Sequence, residues 1–142
     1  MHIENRKVRF EYEFLDTLEV GIELTGGEAK SFYEGRVILS GSYVKILSGE
    51  LYLVNAKFTW PTVPATSESR SRRLLAKKQE IRNWAQRMSE KKLTIVPVSM
   101  YTRGRFIKLK IALSRSQLEF DKRARAKKRV MQRENEQDVR IK

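Results

Sequence analysis

The sequence predicts a mainly β fold: an antiparallel sheet bent into a barrel, with a short and a long flanking helix and a basic C-terminal tail. Three observations carry this. From Val8 to Leu24 the even positions read Val, Phe, Tyr, Phe, Asp, Leu, Val, Ile, Leu, while most odd positions are charged, small or hydroxylated, which is the period of a strand. At ~3.3 Å per residue this run would extend ~56 Å, longer than a small domain is wide, so it must bend or break, and Leu15-Asp16-Thr17 is the expected place. A strongly bent strand that serves two sides of a closed sheet is a barrel feature. Finally, two further apolar alternations fold back on themselves as hairpins.

The elements follow in order. Thr25-Gly26-Gly27 stops the first strand. Glu28 to Glu34 before Gly35 predicts a two-turn helix, with Thr25 as cap and Glu28, three residues on, as its capping-box partner. Val37-Ile38-Leu39 and Tyr43 to Leu47 read as strands, Ser48-Gly49-Glu50 as a turn, and Leu51 to Phe58 as the returning strand. Pro61 to Arg70 has two prolines and four Ser/Thr without periodicity, and reads as a loop. Over Arg72 to Met88 the residues Leu74, Leu75, Ile81, Trp84, Ala85 and Met88 recur at helical spacing and predict the main helix. Leu93 to Tyr101 and Phe106 to Leu113, joined by Thr102-Arg103-Gly104-Arg105, predict a closing hairpin with Pro97 at an edge or bulge.

These elements fill residues 1–120, one domain. Beyond Glu119 the composition changes: Asp121 to Lys142 holds nine Lys+Arg against four Asp+Glu, with few sizeable apolar residues. Such a tail is expected to be disordered when free and helical on a partner. No internal repeat of fixed period is present.

Charge is the strongest compositional signal. Thirty Lys+Arg against seventeen Asp+Glu give the 142 residues a net +13, and charged residues make up 33% of the chain, so a polyanionic partner is expected. The longest uncharged runs, Phe58 to Ser67 and Leu93 to Thr102, are half the ~20 residues a membrane-spanning helix needs, and both contain proline. With no cysteine, and with His2 the one histidine, thiol chemistry, Cys/His zinc sites and a Ser-His-Asp triad are excluded. No cofactor or metal is expected, and the lack of cysteine and of a secretory leader suggests the cytoplasm. The carboxylate pairs Glu11/Glu13 and Glu134/Glu136 have no histidine or metal-type cluster around them, so no catalysis is assigned to them.

Four groups are candidates for nucleic-acid contact. Asn5-Arg6-Lys7 with Arg9 could neutralise phosphates, and the Asn amide could meet a base edge; the plain alternative is an exposed basic terminus. Glu19 would be a liability at an RNA face unless it accepts from the amino or imino group of a base, with Gly21 beside it allowing close approach. The alternative is a solvent carboxylate paired with a cross-strand Lys or Arg. Arg70, Arg72, Arg73, Lys77, Lys78 and Arg82 form a basic stripe against Glu68 and Glu80, one able to track a phosphate backbone. The tail cations, Lys122-Arg123 with Arg125, Lys127, Lys128, Arg129 and Arg133, form the fourth group, for which a nuclear-localisation signal or an unspecific tether is the alternative.

From about Asn5 to Arg133 the chain resembles the SsrA-binding protein family, also called small protein B. The resemblance rests on Asn5-Arg6-Lys7 with Tyr12, on Glu19-Val20-Gly21-Ile22, on Leu24-Thr25-Gly26-Gly27-Glu28-Ala29-Lys30-Ser31 and on Gly35-Arg36-Val37. It continues in Arg72-Arg73-Leu74-Leu75, Ile111-Ala112-Leu113 and Phe120-Asp121-Lys122-Arg123. The glycine–Glu–x–Lys–Ser block and the Asp-Lys-Arg start of the tail are its specific parts. It departs from the family pattern at Ala76, in the Pro61 to Arg70 loop, at Ser116-Gln117-Leu118, at Gly and Ala within Gly26-Gly27-Glu28-Ala29, and at Phe120, where His or Tyr is common.

The resemblance implies an OB-like barrel without catalytic activity that binds transfer-messenger RNA through its tRNA-like domain and brings it to stalled ribosomes. The tail would occupy the empty mRNA channel near the decoding centre. The expected RNA-binding residues are Asn5, Arg6, Lys7, Glu19, Gly21, Lys30, Arg72, Arg73, Leu75 and Lys77. The expected ribosome-binding residues are Phe120, Asp121, Lys122, Arg123, Lys127, Lys128 and Arg129. The protein is expected to act as a monomer on its RNA. A general OB-fold RNA-binding or ribosome-structural protein is the competing class.

Overall fold

The computed structural model describes residues 1–117. In chain order its elements are β1 (His2–Glu4), α1 (Val8–Glu11), β2 (Tyr12–Ile22), α2 (Gly26–Tyr33), β3 (Val37–Ile38), β4 (Tyr43–Leu47), β5 (Glu50–Val54), β6 (Lys57–Phe58), β7 (Arg72–Leu75), α3 (Lys78–Glu90), β8 (Thr94–Arg103) and β9 (Phe106–Ser116). Strand β8 pairs with β4 through Val44 and Ile95, and with β9 along almost its whole length. The antiparallel ladder β8-β4-β5-β7-β2-β9 therefore returns to β8 and closes a barrel. β1 adds to the far end of β8, opposite Ser99 to Tyr101. Closure leaves few free strand edges, which is how a small sheet avoids unpaired backbone groups.

Inside the ring lies the main core, formed by Val20, Val44, Leu51, Leu53, Leu74, Ile95, Met100, Leu109, Ile111 and Leu113 together with Phe32, Phe58, Ile81 and Trp84 from the flanking elements. A second, smaller cluster contains Val8, Val96, Val98 and Ala112, with Tyr12 and Phe14 packed on it. Ala112 lies between Ile111 and Leu113, which belong to the main core, so strand alternation puts it on the outer face of β9. The sheet is thus covered on both faces at this end, and α1 caps the outer one.

The predicted first strand breaks where expected and starts later than expected. A register shift between Phe14 and Asp16 extrudes Leu15, while Tyr12 to Phe14 and Asp16 to Gly21 pair with β9 on either side of it. The bulge aims Asp16 at α3, where its Oδ2 accepts from Trp84 Nε1 (3.1 Å) and Arg87 Nη1 (3.0 Å). Val8 to Glu11 is helix rather than strand: four residues cannot separate a period of two from one of 3.6, and burying Val8 on the second cluster decides between them. Pro97 takes its predicted place at a bulge, between Pro97 and Ser99.

Helix α2 is capped as predicted and begins at Gly26, two residues before the expected Glu28. Thr25 Oγ1 accepts from the Glu28 amide (3.3 Å), and Glu28 Oε1 accepts from the Thr25 amide (2.9 Å). Gly27 packs against Trp60, whose Cε2 would stand 2.8 Å from a Cβ at that position. The predicted Leu51 to Phe58 strand splits into β5 and β6 at Asn55, which turns with φ 65°.

The largest difference concerns Arg72 to Leu75. The expected helical stretch is a strand here, paired to β5 through Leu51, Tyr52 and Leu53 and to β2 through Gly21 and Ile22, and the helix begins only at Lys78. Adjacent leucines satisfy either period. The barrel needs this strand to join β5 to β2, and tertiary pairing overrides the local pattern.

Candidate nucleic-acid interface

Strand register builds one outer face. Val20 pairs with Leu109 and both point into the core; on either side of them Glu19 pairs with Lys110 and Gly21 with Lys108. Across β9, Lys108 faces Tyr101 and Lys110 faces Ser99. Glu19, Tyr101, Lys108 and Lys110 therefore share the outside of three neighbouring strands, and Arg103 joins them from the end of β8.

Glu19 is held there by two donors. Its Oε1 accepts from the Tyr101 hydroxyl (2.6 Å) and from Arg103 Nε (2.9 Å). The Tyr101 hydrogen bond holds its carboxyl below the usual glutamate range, against some desolvation and with help from Arg103 and Lys108. Burial, followed by the hydrogen bond to Glu19, pushes the Tyr101 phenol up. Glu19 is thus a fixed, ionised acceptor. Of the two readings of the sequence, the cross-strand pair with a basic residue is present, and both donors meet Oε1, leaving Oε2 without a protein donor among the described residues.

Next along the same face is Leu75, 46% exposed, while its neighbour Leu74 is fully buried. Leu75 pairs with Gly21, and a Cβ on Gly21 would come 3.2 Å from Leu75 Cβ, so the glycine makes the space in which Leu75 lies. Tyr33 from α2 and Phe106 from the start of β9 line the same groove. Lys30 projects from the exposed side of α2, 4.0 Å from Glu34.

Arg72 is a correction. Its side chain is fully buried beneath α2, where Nε donates to Glu28 Oε2, Nη1 donates to Ala56 O (2.7 Å), and Nη2 donates to Ser67 O and Glu68 O (3.0 Å each). Phe58 lies 4.2 Å under the guanidinium. With each guanidinium nitrogen bonded to a protein acceptor and its side chain fully buried, Arg72 holds the fold and presents no exposed surface to a partner. Arg70 also donates to Glu28. Burial raises the Glu28 pKa, but the Thr25 amide, Arg70 and Arg72 outweigh it and leave the carboxyl below its usual range.

The other expected residues separate. Asn5 is buried, with Nδ2 donating to Pro97 O (2.9 Å) and Leu39 O (3.5 Å), so its amide ties β8 to the β3 loop and is not offered to a base edge. Arg6 and Lys7 are exposed between β1 and α1, following Asn5, whose amide donates to Val98 O. Arg73 lies on the outer side of β7, between Glu23 (3.0 Å) and Glu50 (3.1 Å). Lys77 is exposed at the start of α3. The continuous basic stripe expected from Arg70 to Arg82 is therefore broken, since one of its members is buried and another is paired to two carboxylates. Phe120, Asp121, Lys122, Arg123, Lys127, Lys128 and Arg129 lie outside the described residues.

Sequence reasoning missed Tyr101, Arg103, Phe106, Lys108 and Lys110. The signal was present: Phe106, Lys108 and Lys110 alternate with Ile107, Leu109 and Ile111, so one side of the closing hairpin is aromatic and cationic. Among the described residues no group of His, Cys, Asp and Glu could hold a metal ion, and no helix is long and apolar enough to cross a membrane.

Known proteins are similar to this chain over most of its length. SsrA-binding protein from Chlorobaculum tepidum is 42% identical over 139 residues, covering 95% of this chain and 88% of the relative. SsrA-binding protein from Gloeobacter violaceus is 38% identical over 141 residues, covering 97% and 93%. A solved chain from the structure described as "tmRNA-SmpB: a journey to the center of the bacterial ribosome" is 37% identical with a TM-score of 0.65, covering 80% of this chain and 82% of that one. The family profile described as SmpB protein matches residues 2–141. With that match and these identities, the chain belongs to the SmpB protein family.

Proposed function

We propose that this chain binds transfer-messenger RNA (SsrA) and delivers it to stalled ribosomes for trans-translation. It does so as a cytoplasmic monomer on its RNA, without catalysis and without a cofactor. The observation that carries the reading is the outer face of β2, β9 and β8, where Lys108, Lys110 and Arg103 surround one fixed carboxylate, Glu19. A face meant only for phosphates would gain nothing from a glutamate at its centre, whereas an ionised acceptor with a free oxygen suits the amino group of an unpaired base. Membership in a family whose relatives are named for binding SsrA gives that base-bearing partner an identity.

The test is a binding titration against transfer-messenger RNA, an ordinary tRNA and a random RNA of equal length. A preference of tenfold, about 1.4 kcal/mol, supports the assignment; equal binding to all three makes the protein a general RNA-binding module.

In the same proposal the chain divides its work. Residues 1–120 form the RNA-binding barrel and carry +8 of the charge, and residues 121–142 carry +5 and act in the empty mRNA channel. Truncation after Glu119 is expected to keep the fold and most RNA affinity while tagging on stalled ribosomes collapses. Alanine at Asp121, Lys122 and Arg123 together reproduces most of that defect. Near-normal tagging by the truncated protein would refute the division.

A further inference from the structure

Strand β8 changes phase on its way to Glu19. Ile95 and Pro97 pair with Leu113 and Ile111 of β9, Val98 is passed over, and pairing resumes with Ser99 opposite Lys110 and Tyr101 opposite Lys108. Ile95 and Met100 lie in the main core, whereas Val96 and Val98 lie in the outer cluster. Unbroken alternation from Ile95 would turn Tyr101 into the barrel and Met100 out of it. The bulge reverses this phase. It brings Tyr101 and Arg103 to the outside, where both donate to Glu19.

Asn5, only 5% exposed, grips that bulge with two donors. Its main-chain N–H donates to Val98 O (2.9 Å) and its Nδ2 to Pro97 O (2.9 Å). Nδ2 also reaches Leu39 O (3.5 Å), in the connection between β3 and β4. This is the thinnest seam of the barrel, since among the described residues β4 and β8 share the single registered pair Val44 with Ile95. A buried amide bonded to both sides of such a seam fixes their geometry, because leaving its donors unpaired is costly.

We propose that Asn5 is a positioning residue for RNA recognition: by fixing the bulge between Pro97 and Ser99 it holds β8 in the phase that sets Tyr101 and Arg103 on Glu19. The inference rests on the Glu19 contact proposed above and deepens it. Asn5 acts through the orientation of that carboxylate, and a recognition group is only as well placed as the shell that supports it.

The experiment compares full-length parent, N5A, E19Q and N5A/E19Q, with I81V as a core variant remote from the bulge. It measures melting temperature, affinity for transfer-messenger RNA at fixed salt, and the rate at which peroxide oxidises Met100, which is fully buried in the parent. N5A and E19Q are each expected to weaken binding roughly tenfold. The double variant should bind within about twofold of E19Q, because both changes disable one contact. I81V should bind like the parent, and Met100 should oxidise faster in N5A than in I81V. If N5A does not fold, N5S, which keeps a shorter donor, replaces it in the same comparisons. Parent-like binding by N5A beside a weakened E19Q overturns this proposal and leaves the Glu19 reading standing. Additive losses, about a hundredfold in the double variant, overturn it as well, as does Met100 oxidation no faster in N5A than in I81V. Parent-like binding by E19Q removes the Glu19 reading and this one with it.

Discussion

Glu28 with Arg72 and Glu19 with Arg103 are the same chemical pair in opposite surroundings. Glu28 and Arg72 are sealed beneath α2 with every polar atom satisfied. Glu19 and Arg103 stand on the outer face of the barrel, Arg103 largely in water. In the buried pair both charges have left solvent, so each depends on the other, and losing one partner is costly. In the exposed pair the attraction is screened and contributes little to folding, which leaves Glu19 free to serve a ligand. Burial, rather than residue type, separates the structural glutamate from the one proposed to meet a ligand.

The sharpest way to break this contrast is at Arg72. R72M leaves Glu28 buried without its main cation and takes one donor from each of three carbonyls, Ala56 O, Ser67 O and Glu68 O, and should cost about 3–5 kcal/mol of stability. Denaturant melts of R72M and of R103M should therefore differ widely, with R103M within about 0.5 kcal/mol of the parent. Comparable losses in the two variants would erase the distinction.

The leucine pair in β7 makes the same comparison with apolar side chains. L74A removes a fully buried side chain and should cost about 2–5 kcal/mol, while L75A should melt close to the parent yet lose RNA affinity. A loss of stability at Leu75 as large as at Leu74, with binding unchanged after allowance for folding, would make Leu75 ordinary core.

How legible these roles are depends on how local their causes are. The Thr25–Glu28 capping box, the bulge at Pro97 and the break at Leu15 arise within a few residues, and the sequence displays them. Glu28 could be read as a cap from its spacing to Thr25. That it also binds an arginine 44 positions later could not, because nothing in Arg72 and its neighbours distinguishes a buried guanidinium from a phosphate ligand. The same gap made β7 look like the start of a helix. Glu19 was singled out for its sign in a basic chain, but Tyr101 and Arg103, its donors from another strand, emerge only once the barrel closes.

Acid should affect the two glutamates unequally. The folded-state pKa of Glu28 is lowered, so its contribution is fully present above the unfolded value of ~4.3 and is lost as pH falls through the lowered folded value. Stability should decline below pH ~4.3, and E28Q, already weakened, should decline less steeply over that range. Glu19 shifts in the same direction, but because it is exposed, E19Q should follow the parent curve. A parallel decline in E28Q would show that other carboxylates drive the acid transition.

The most direct measurement is the affinity of E19Q for transfer-messenger RNA at fixed salt. The substitution removes a negative charge from a basic face, so plain electrostatics makes the variant bind more tightly. If Glu19 accepts from a base, the variant instead binds roughly tenfold more weakly, with an unchanged melting temperature. Equal or tighter binding would contradict the account and leave Glu19 as the solvent-side partner of Tyr101 and Arg103.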